Sequence, residues 1–217
     1  MKEIKNMLDV ISRKEKAFEN LYVVARNEKY YIERNDDVIK TQKGDIVFMY
    51  EIRLETTEKE KLTVKVTREM VDRWGVTTTD VKNRARENTY KKLKFQSLTD
   101  MLNAKLELIG INQEIPEDTG IKIYTLTTDD EFDGAGLLDS AEVLNLIREI
   151  VGSYYIIPSS IHEVLIVPRD EDINRYMSPD EIREMIREVN DNIVMEKERL
   201  SYNVYEYNAY DGLTIVY

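Results

Sequence analysis

Segments with strand character occur in runs along this chain, and helical segments lie between the runs. In the first run, residues 45–55 read DIVFMYEIRLE, an apolar stretch rich in β-branched and aromatic side chains. Residues 61–66 alternate apolar and polar side chains across a charged loop, and residues 21–25 and 29–33 resemble an earlier hairpin. Because strands that follow one another pair through short turns, the pattern predicts an α+β fold with largely antiparallel sheets packed by several helices.

Helices are predicted where apolar residues recur at helical spacing behind a capping residue. They cover residues 3–19, 68–74, about 78–93, 98–109 and 140–151, with a last helix from Ser178. The further strands are predicted at residues 121–127, 154–157, 162–167, 202–208 and 213–217. In the last helix, Ser178 stands at the cap and Pro179 at the first helical position, and its apolar stripe is expected to pack on a sheet.

Length and composition limit the organisation and the chemistry. A chain of 217 residues suits a single domain, here with an N-terminal lobe at 1–66 and a C-terminal lobe at 97–217. The lack of cysteine excludes disulfide, zinc-thiolate and thiol-nucleophile chemistry. No apolar run approaches the ~20 residues of a membrane span, so a cytoplasmic protein without membrane contact is predicted. A net charge of −11 makes nucleic acid an unfavourable partner, since phosphates are repelled.

The only histidine lies in the stretch YYIIPSSIHEVLIVPRD, residues 154–170. On a strand, Ser160 and His162 would share one face about 6.5–7 Å apart, whereas a nucleophile–base pair needs ~2.6–3.2 Å. Glu163 would point to the opposite face, and neither a second histidine nor a G-x-S-x-G motif is present. Ser160, His162 and Glu163 are therefore weak catalytic candidates. The favoured interpretation is a structural corner in which His162 donates to a buried acceptor.

Motifs for metals and cofactors fail at their decisive positions. The His-Glu dipeptide lacks the second histidine of the H-E-x-x-H zinc pattern. The acidic loop DDEFDGAG places Asp129, Glu131 and Asp133 at the first three ligand positions of a calcium loop, but Ser140 replaces the bidentate glutamate. No P-loop or G-x-G-x-x-G occurs. The sequence thus predicts no metal site, no cofactor, and a solvated turn at residues 129–136.

A basic segment, KNRARENTYKKLK at residues 82–94, stands out in this acidic chain. Its candidate binding residues are Lys82, Arg86, Lys91, Lys92 and Lys94. Three of these lie near one face at helical spacing, where they could contact phosphates or an acidic partner. Pairing with the protein's own acidic residues on a solvated helix face is the favoured interpretation.

Several stretches occur in an order that is similar to that of a known family. They are DIVFMYE (45–51), VTREMVDRWGV (66–76), ARENT (85–89), PSSIHEV (158–164), VNDNIV (189–194) and ERLSYNVYEYN (198–208). Over most of residues 45–208 the chain resembles an uncharacterised bacterial family, the domain of unknown function number 5688. The resemblance implies that the family hallmark includes Pro158, Ser159, Ser160, His162 and Glu163, together with Asn88, Asn190, Leu200, Ser201 and Tyr205. It implies no activity, because the family has none assigned.

The function itself stays unknown at this point, and three hypotheses remain open. A non-enzymatic intracellular binding or regulatory domain with another protein as partner is favoured. A hydrolase-like enzyme centred on Ser160 and His162 is one alternative. A nucleic-acid or host-defence modulator that uses residues 82–94 is the other.

Overall fold

A computed structural model describes residues 9–29, 37–54, 62–112, 114–116, 122–158, 160–169, 178–192 and 194–216. The helices are α1 Lys14–Glu19, α2 Arg68–Trp74, α3 Thr78–Tyr90, α4 Leu98–Leu108, α5 Ala141–Val151 and α6 Pro179–Asn192, with 3-10 turns at Gly134–Asp139 and Glu196–Glu198. The strands are β1 Leu21–Asn27, β2 Lys40–Lys43, β3 Ile46–Arg53, β4 Thr63–Lys65, β5 Leu93–Ser97, β6 Tyr124–Thr128, β7 Tyr154–Ile157, β8 Val164–Pro168, β9 Tyr205–Asn208 and β10 Gly212–Ile215. Within the described ranges, no helix combines the length and apolar character needed to cross a bilayer.

Two antiparallel sheets confirm the predicted α+β class. In the first sheet β3 is central: β1 pairs with one side, and β2 and β4 pair with successive parts of the other side. The second sheet has the order β10-β9-β7-β8-β6-β5. Each strand alternates its side chains between two faces, so each sheet has an inner and an outer surface.

One continuous hydrophobic core joins the inner faces of both sheets. On β3, Phe48 and Ile52 are fully buried in it, and Leu126 and Ile156 enter it from the second sheet. These residues come from both predicted lobes, while the division of the chain into lobes remains a prediction. The outer face of β3 holds Met49 in a separate buried cluster.

The edge of β1 that does not pair with β3 is covered by α3 and by the 3-10 turn at Gly134–Asp139. Thr89 Oγ1 accepts the N–H of Val23 at 3.0 Å, and Asn88 Nδ2 donates to the carbonyl of Leu21 at 3.0 Å. A Cβ on Gly136 would lie 2.3 Å from the carbonyl oxygen of Val23, so only glycine allows the turn to approach this closely. The edge strand is thereby shielded from pairing with other chains.

The last helix packs on the outer face of the second sheet, as its stripe predicted. Glu181 accepts the N–H of Ser178 at 2.7 Å and donates its own N–H to Ser178 Oγ at 3.3 Å, which forms a capping box. Ile182 and Ile186 are buried against Tyr155 and its neighbours, whereas Met185 is exposed. Of the remaining stripe, Ile193 and the side chain of Val189 lie outside what the structure describes.

Several strand predictions are wrong in detail. Strands β2 and β5 were not predicted, and β5 begins where helix α3 was expected to continue. The strand expected from residue 162 begins at Val164, so His162 lies in the bend before it. Residues 30–33 of the predicted early hairpin lie outside the described residues. Strand β5 pairs with β6, some 30 residues further on, and this partner supplies hydrogen bonds that no local pattern reveals.

Candidate functional site

The corner before β8 is closed by the Ser160 hydroxyl. Ser160 Oγ accepts the N–H of His162 at 3.1 Å and that of Glu163 at 3.2 Å, and the Ser160 N–H donates to the carbonyl of Glu163 at 3.2 Å. Among the described residues, no hydrogen bond joins this hydroxyl to the imidazole ring. The three catalytic candidates are therefore adjacent, but the nucleophile–base contact that a hydrolase needs is not formed.

His162 holds the acidic loop in place. Its Nδ1 accepts the N–H of Asp133 at 3.2 Å, and its carbonyl accepts from the N–H of Gly134 and from Thr127 Oγ1, at 3.1 and 2.8 Å. The ring is half-buried beside Phe132, with 5.0 Å between the ring centroids. Where the sequence predicted a donating ring, the structure has an accepting one, so a neutral imidazole carries its hydrogen on Nε2.

The acidic loop is solvated in its first half, as predicted, and buried in its second half. Asp129 to Glu131 are exposed, whereas residues 133–136 are buried, and Asp133 has a φ of 54°, in the left-handed region. Asp133 Oδ1 accepts from Arg26 Nη1 at 3.0 Å, and Arg53 Nη2 lies 3.6 Å from Oδ2. Two guanidinium groups from the first sheet thus bind the carboxylate that a calcium site would require.

These charges form a compact and balanced cluster at the edge of the first sheet. Arg53 also pairs with Asp130 at 3.3 Å and lies over the ring of Tyr22, 4.3 Å from its centroid. Its side chain is only 12% exposed, and that of Asp133 is 1% exposed. Because two arginines face two aspartates, each buried charge has a counter-charge, which is what burial of ions requires.

The basic segment contacts the protein's own acidic and aromatic side chains. Helix α3 ends at Tyr90 and Lys94 lies on β5, so the predicted helical face does not include Lys94. The five candidates have these nearest partners: Lys82 with the Tyr50 ring (5.9 Å), Arg86 with Asp139 (2.9 Å), Lys91 with Glu87 (3.2 Å), Lys92 with Asp130 (3.1 Å) and Lys94 with Glu131 (3.8 Å). This pattern supports the favoured interpretation that the segment is paired internally.

Arg86 takes part in a second buried polar group, between α3 and the inner face of the first sheet. Asp139 Oδ2 accepts from Arg86 Nε and from the Tyr50 hydroxyl, each at 2.9 Å. Burial, reinforced by the charge of Asp139, raises the pKa of Tyr50. Burial lowers the pKa of the neighbouring Lys43, an effect that Asp139 opposes. The group links helix, sheet and 3-10 turn at one point.

A groove lies over the outer face of the first sheet, beside residues 195–199, and has a volume of about 760 Å³. Its charged lining residues are Arg26, Lys65, Lys197, Arg199, Glu51 and Glu196. Four cations and two carboxylates thus line a groove in a chain whose net charge is −11. Positive charge is therefore gathered around this concave space.

The floor of this groove contains a carboxylate that forms no ion pair with any described residue. Glu51 follows Met49 on the outer face of β3 and is 4% exposed. It faces Lys65 on β4 and Tyr22 on β1 in the strand register. Within the described part of the chain, Glu51 forms no hydrogen bond and no ion pair. The sequence does carry a signal for it, since Glu51 interrupts the apolar run IVFMYEI, but the prediction passed over it.

The two arginines of the groove are already fixed by other groups. Arg26 is held by Asp133, and Arg199 Nη1 lies 3.2 Å from Asp191 Oδ1. Arg199 also donates to the hydroxyl of Tyr202 at 3.2 Å. Their guanidinium groups therefore have defined positions along the rim of the groove.

Comparison with known protein families gives a match along nearly the whole chain. A model described as "Family of unknown function (DUF5688)" matches residues 2–209. The chain belongs to this family. No curated protein and no solved structure matches it.

In this DUF5688 chain, the polar residues of the C-terminal stretch attach it to the β2–β3 turn. Asp45 Oδ1 accepts from Ser201 Oγ at 2.8 Å and from the Tyr205 hydroxyl at 2.5 Å. Asn190 Nδ2 donates to the carbonyl of Ser201 at 3.0 Å. Burial, with the hydrogen bond to Asp45, raises the pKa of Tyr205. These hydrogen bonds attach the second sheet to the first in the DUF5688 chain.

Proposed function

We propose that this DUF5688 chain is a non-enzymatic binding domain that accepts a charged segment of another protein in the groove over the first sheet. The observation that carries the proposal is the side chain of Glu51, which is 4% exposed on the floor of the groove and forms no ion pair with any described residue. Buried charges in folded proteins are normally paired, so a charge left open in a concave site indicates a ligand that completes it.

The size and the charge of the groove support a peptide-like ligand. Binding sites for small ligands usually enclose roughly 300–1,000 Å³, and the groove lies within this range. Charges of both signs along its lining match a partner segment that also carries both signs. A phosphate chain fits less well, because the carboxylate on the floor would repel it.

Fixed side chains favour binding in the groove. Arg26 and Arg199 are held by aspartates outside the groove, so they lose little rotational freedom when a ligand arrives. Lys197 is exposed and has no ion pair among the described residues. It is thus the rim cation whose replacement disturbs the fold least.

Binding is tested with a fluorescent peptide that carries a central arginine between aspartates, measured by fluorescence anisotropy. We expect saturable binding that weakens with salt, and Lys197→Glu should weaken it about tenfold. Lys91→Glu is the matched control, because this exposed lysine lies outside the groove. No binding at millimolar peptide, or equal loss in both variants, would refute the proposal.

A cytoplasmic location belongs to the same proposal. A charged fraction of 34% and the absence of cysteine support it. Fractionation of the native host should recover the protein with the cytosol, and recovery in the medium or with membranes would contradict this location.

A further inference from the structure

We infer that Glu51 selects the partner by binding a cationic side chain, an arginine, which is flanked by acidic residues in the bound segment. This inference rests on the proposed binding function of the groove and adds the chemical class of the ligand. In the bound segment, the positive group lies at the floor of the groove and the negative groups lie at its rim.

The strand pattern explains why Glu51 needs an external partner. Its neighbours on the outer face of the first sheet are Met49 and Arg53 along β3, Tyr22 across β1 and Lys65 across β4. The guanidinium of Arg53 is held by Asp130 and Asp133. Lys65 faces Glu51 in the register, yet no ion pair joins the two side chains. Met49 is 1% exposed and offers only apolar surface. The carboxylate is therefore in a position to bind a polar group that enters the groove.

A guanidinium group satisfies such a carboxylate best. It brings the missing positive charge and a planar pair of N–H donors that match both carboxylate oxygens. An ammonium group supplies the charge but only a single point of contact, so arginine is favoured over lysine. Glu51 thus determines which residue of the partner enters the groove.

The rim then determines what stands beside that arginine. Lys65, on β4, and Lys197, in the 3-10 turn at residues 196–198, both line the groove, and Arg199 follows this turn. A segment with acidic residues on both sides of its arginine places negative charge near these cations. The same flanks would avoid the repulsion that a purely basic peptide meets from Arg26 and Arg199.

The test compares two peptides that differ at one atom of the central side chain. One carries arginine between aspartates, and the other carries citrulline, which has nearly the same shape without the charge. We expect the wild-type protein to bind the arginine peptide about tenfold more tightly. In Glu51→Gln the two affinities should become equal, while Glu142→Gln, at an exposed carboxylate outside the groove, should keep the preference.

The outcomes separate the two proposals. Equal affinities of the wild-type protein for both peptides would overturn the role of Glu51 and leave the groove as a binding site. Binding of neither peptide would overturn the proposed function as well. If Glu51→Gln does not fold, the carboxyl carbon signal of Glu51 in labelled wild-type protein provides the measurement. That signal should shift with the arginine peptide and stay in place with the citrulline peptide, and the same shift with both would refute the inference.

Discussion

Replacing Asp139 by asparagine is expected to destabilise the protein by about 2–4 kcal/mol. The Asp139 side chain is fully buried, and one of its oxygens accepts from both Arg86 and Tyr50 at 2.9 Å. Asparagine keeps the size and one acceptor oxygen, but it leaves the guanidinium of Arg86 without its counter-charge. Breaking a fully buried pair costs roughly 3–5 kcal/mol. Because the Arg86 side chain is 32% exposed, water offsets part of this cost and the expected value is lower.

Chemical and thermal unfolding followed by circular dichroism measure this loss. For a chain of this length, the thermal midpoint should fall on the order of 10 °C. Glu69→Gln is the control, since its pair with Arg73 lies at the surface and should change stability by less than about 0.5 kcal/mol.

A double mutant shows whether Arg86 belongs to the fold. Arg86→Met alone leaves the buried carboxylate unpaired, whereas Arg86→Met with Asp139→Asn removes both charges. The double variant should therefore lose less stability than the sum of the single variants, by about 1 kcal/mol or more. A single Asp139→Asn variant as stable as the control, or strictly additive losses, would refute the reasoning and return Arg86 to the candidates for partner binding.

Three further predictions follow from buried contacts. Ile186→Ala should cost about 2–4 kcal/mol in denaturant unfolding, because the residue is 3% exposed within its cluster, and an unchanged midpoint would place that face in solvent. His162→Ala should cost about 1–3 kcal/mol in the same assay, since it leaves the N–H of Asp133 without an acceptor, and no loss would contradict the contact. Burial, as the main cause, raises the pKa of Tyr154 and Tyr205. Their stabilising effect is complete below the unfolded-state pKa of about 10 and is lost as the pH rises toward the folded-state pKa. In an alkaline titration, their tyrosinate absorbance should thus appear together with the loss of circular dichroism, and free titration in the folded protein would oppose this.

Elements with local signals could be predicted from the sequence. Helix α2 has the predicted bounds of residues 68–74, since Thr67 caps it and Gly75 ends it in the left-handed conformation. The α3 cap falls on Thr77, directly before the helix predicted from about residue 78, and α6 begins behind Ser178. These signals suffice because a cap satisfies backbone groups only three residues away, so its chemistry lies within one short stretch. The apolar stripe of α6 likewise indicated its packing face.

Only the tertiary structure determined which charged side chains pair with each other. Arg26 donates to Asp133, which lies 107 residues later in the sequence. This contact holds Asp133 in a buried position, although its acidic loop was predicted to be solvated. Glu51 is a charge that folding leaves without an ion pair among the described residues. Its strand was predicted, but the absence of a pair depends on where Lys65 and the residues near 197 lie. The energy of a charge depends on the partners and the solvent within a few ångströms, and folding brings these together from distant parts of the chain. The sequence therefore determined the elements that have their own caps and apolar patterns. The packing of the elements determined strands such as β5 and the partners of each buried charge.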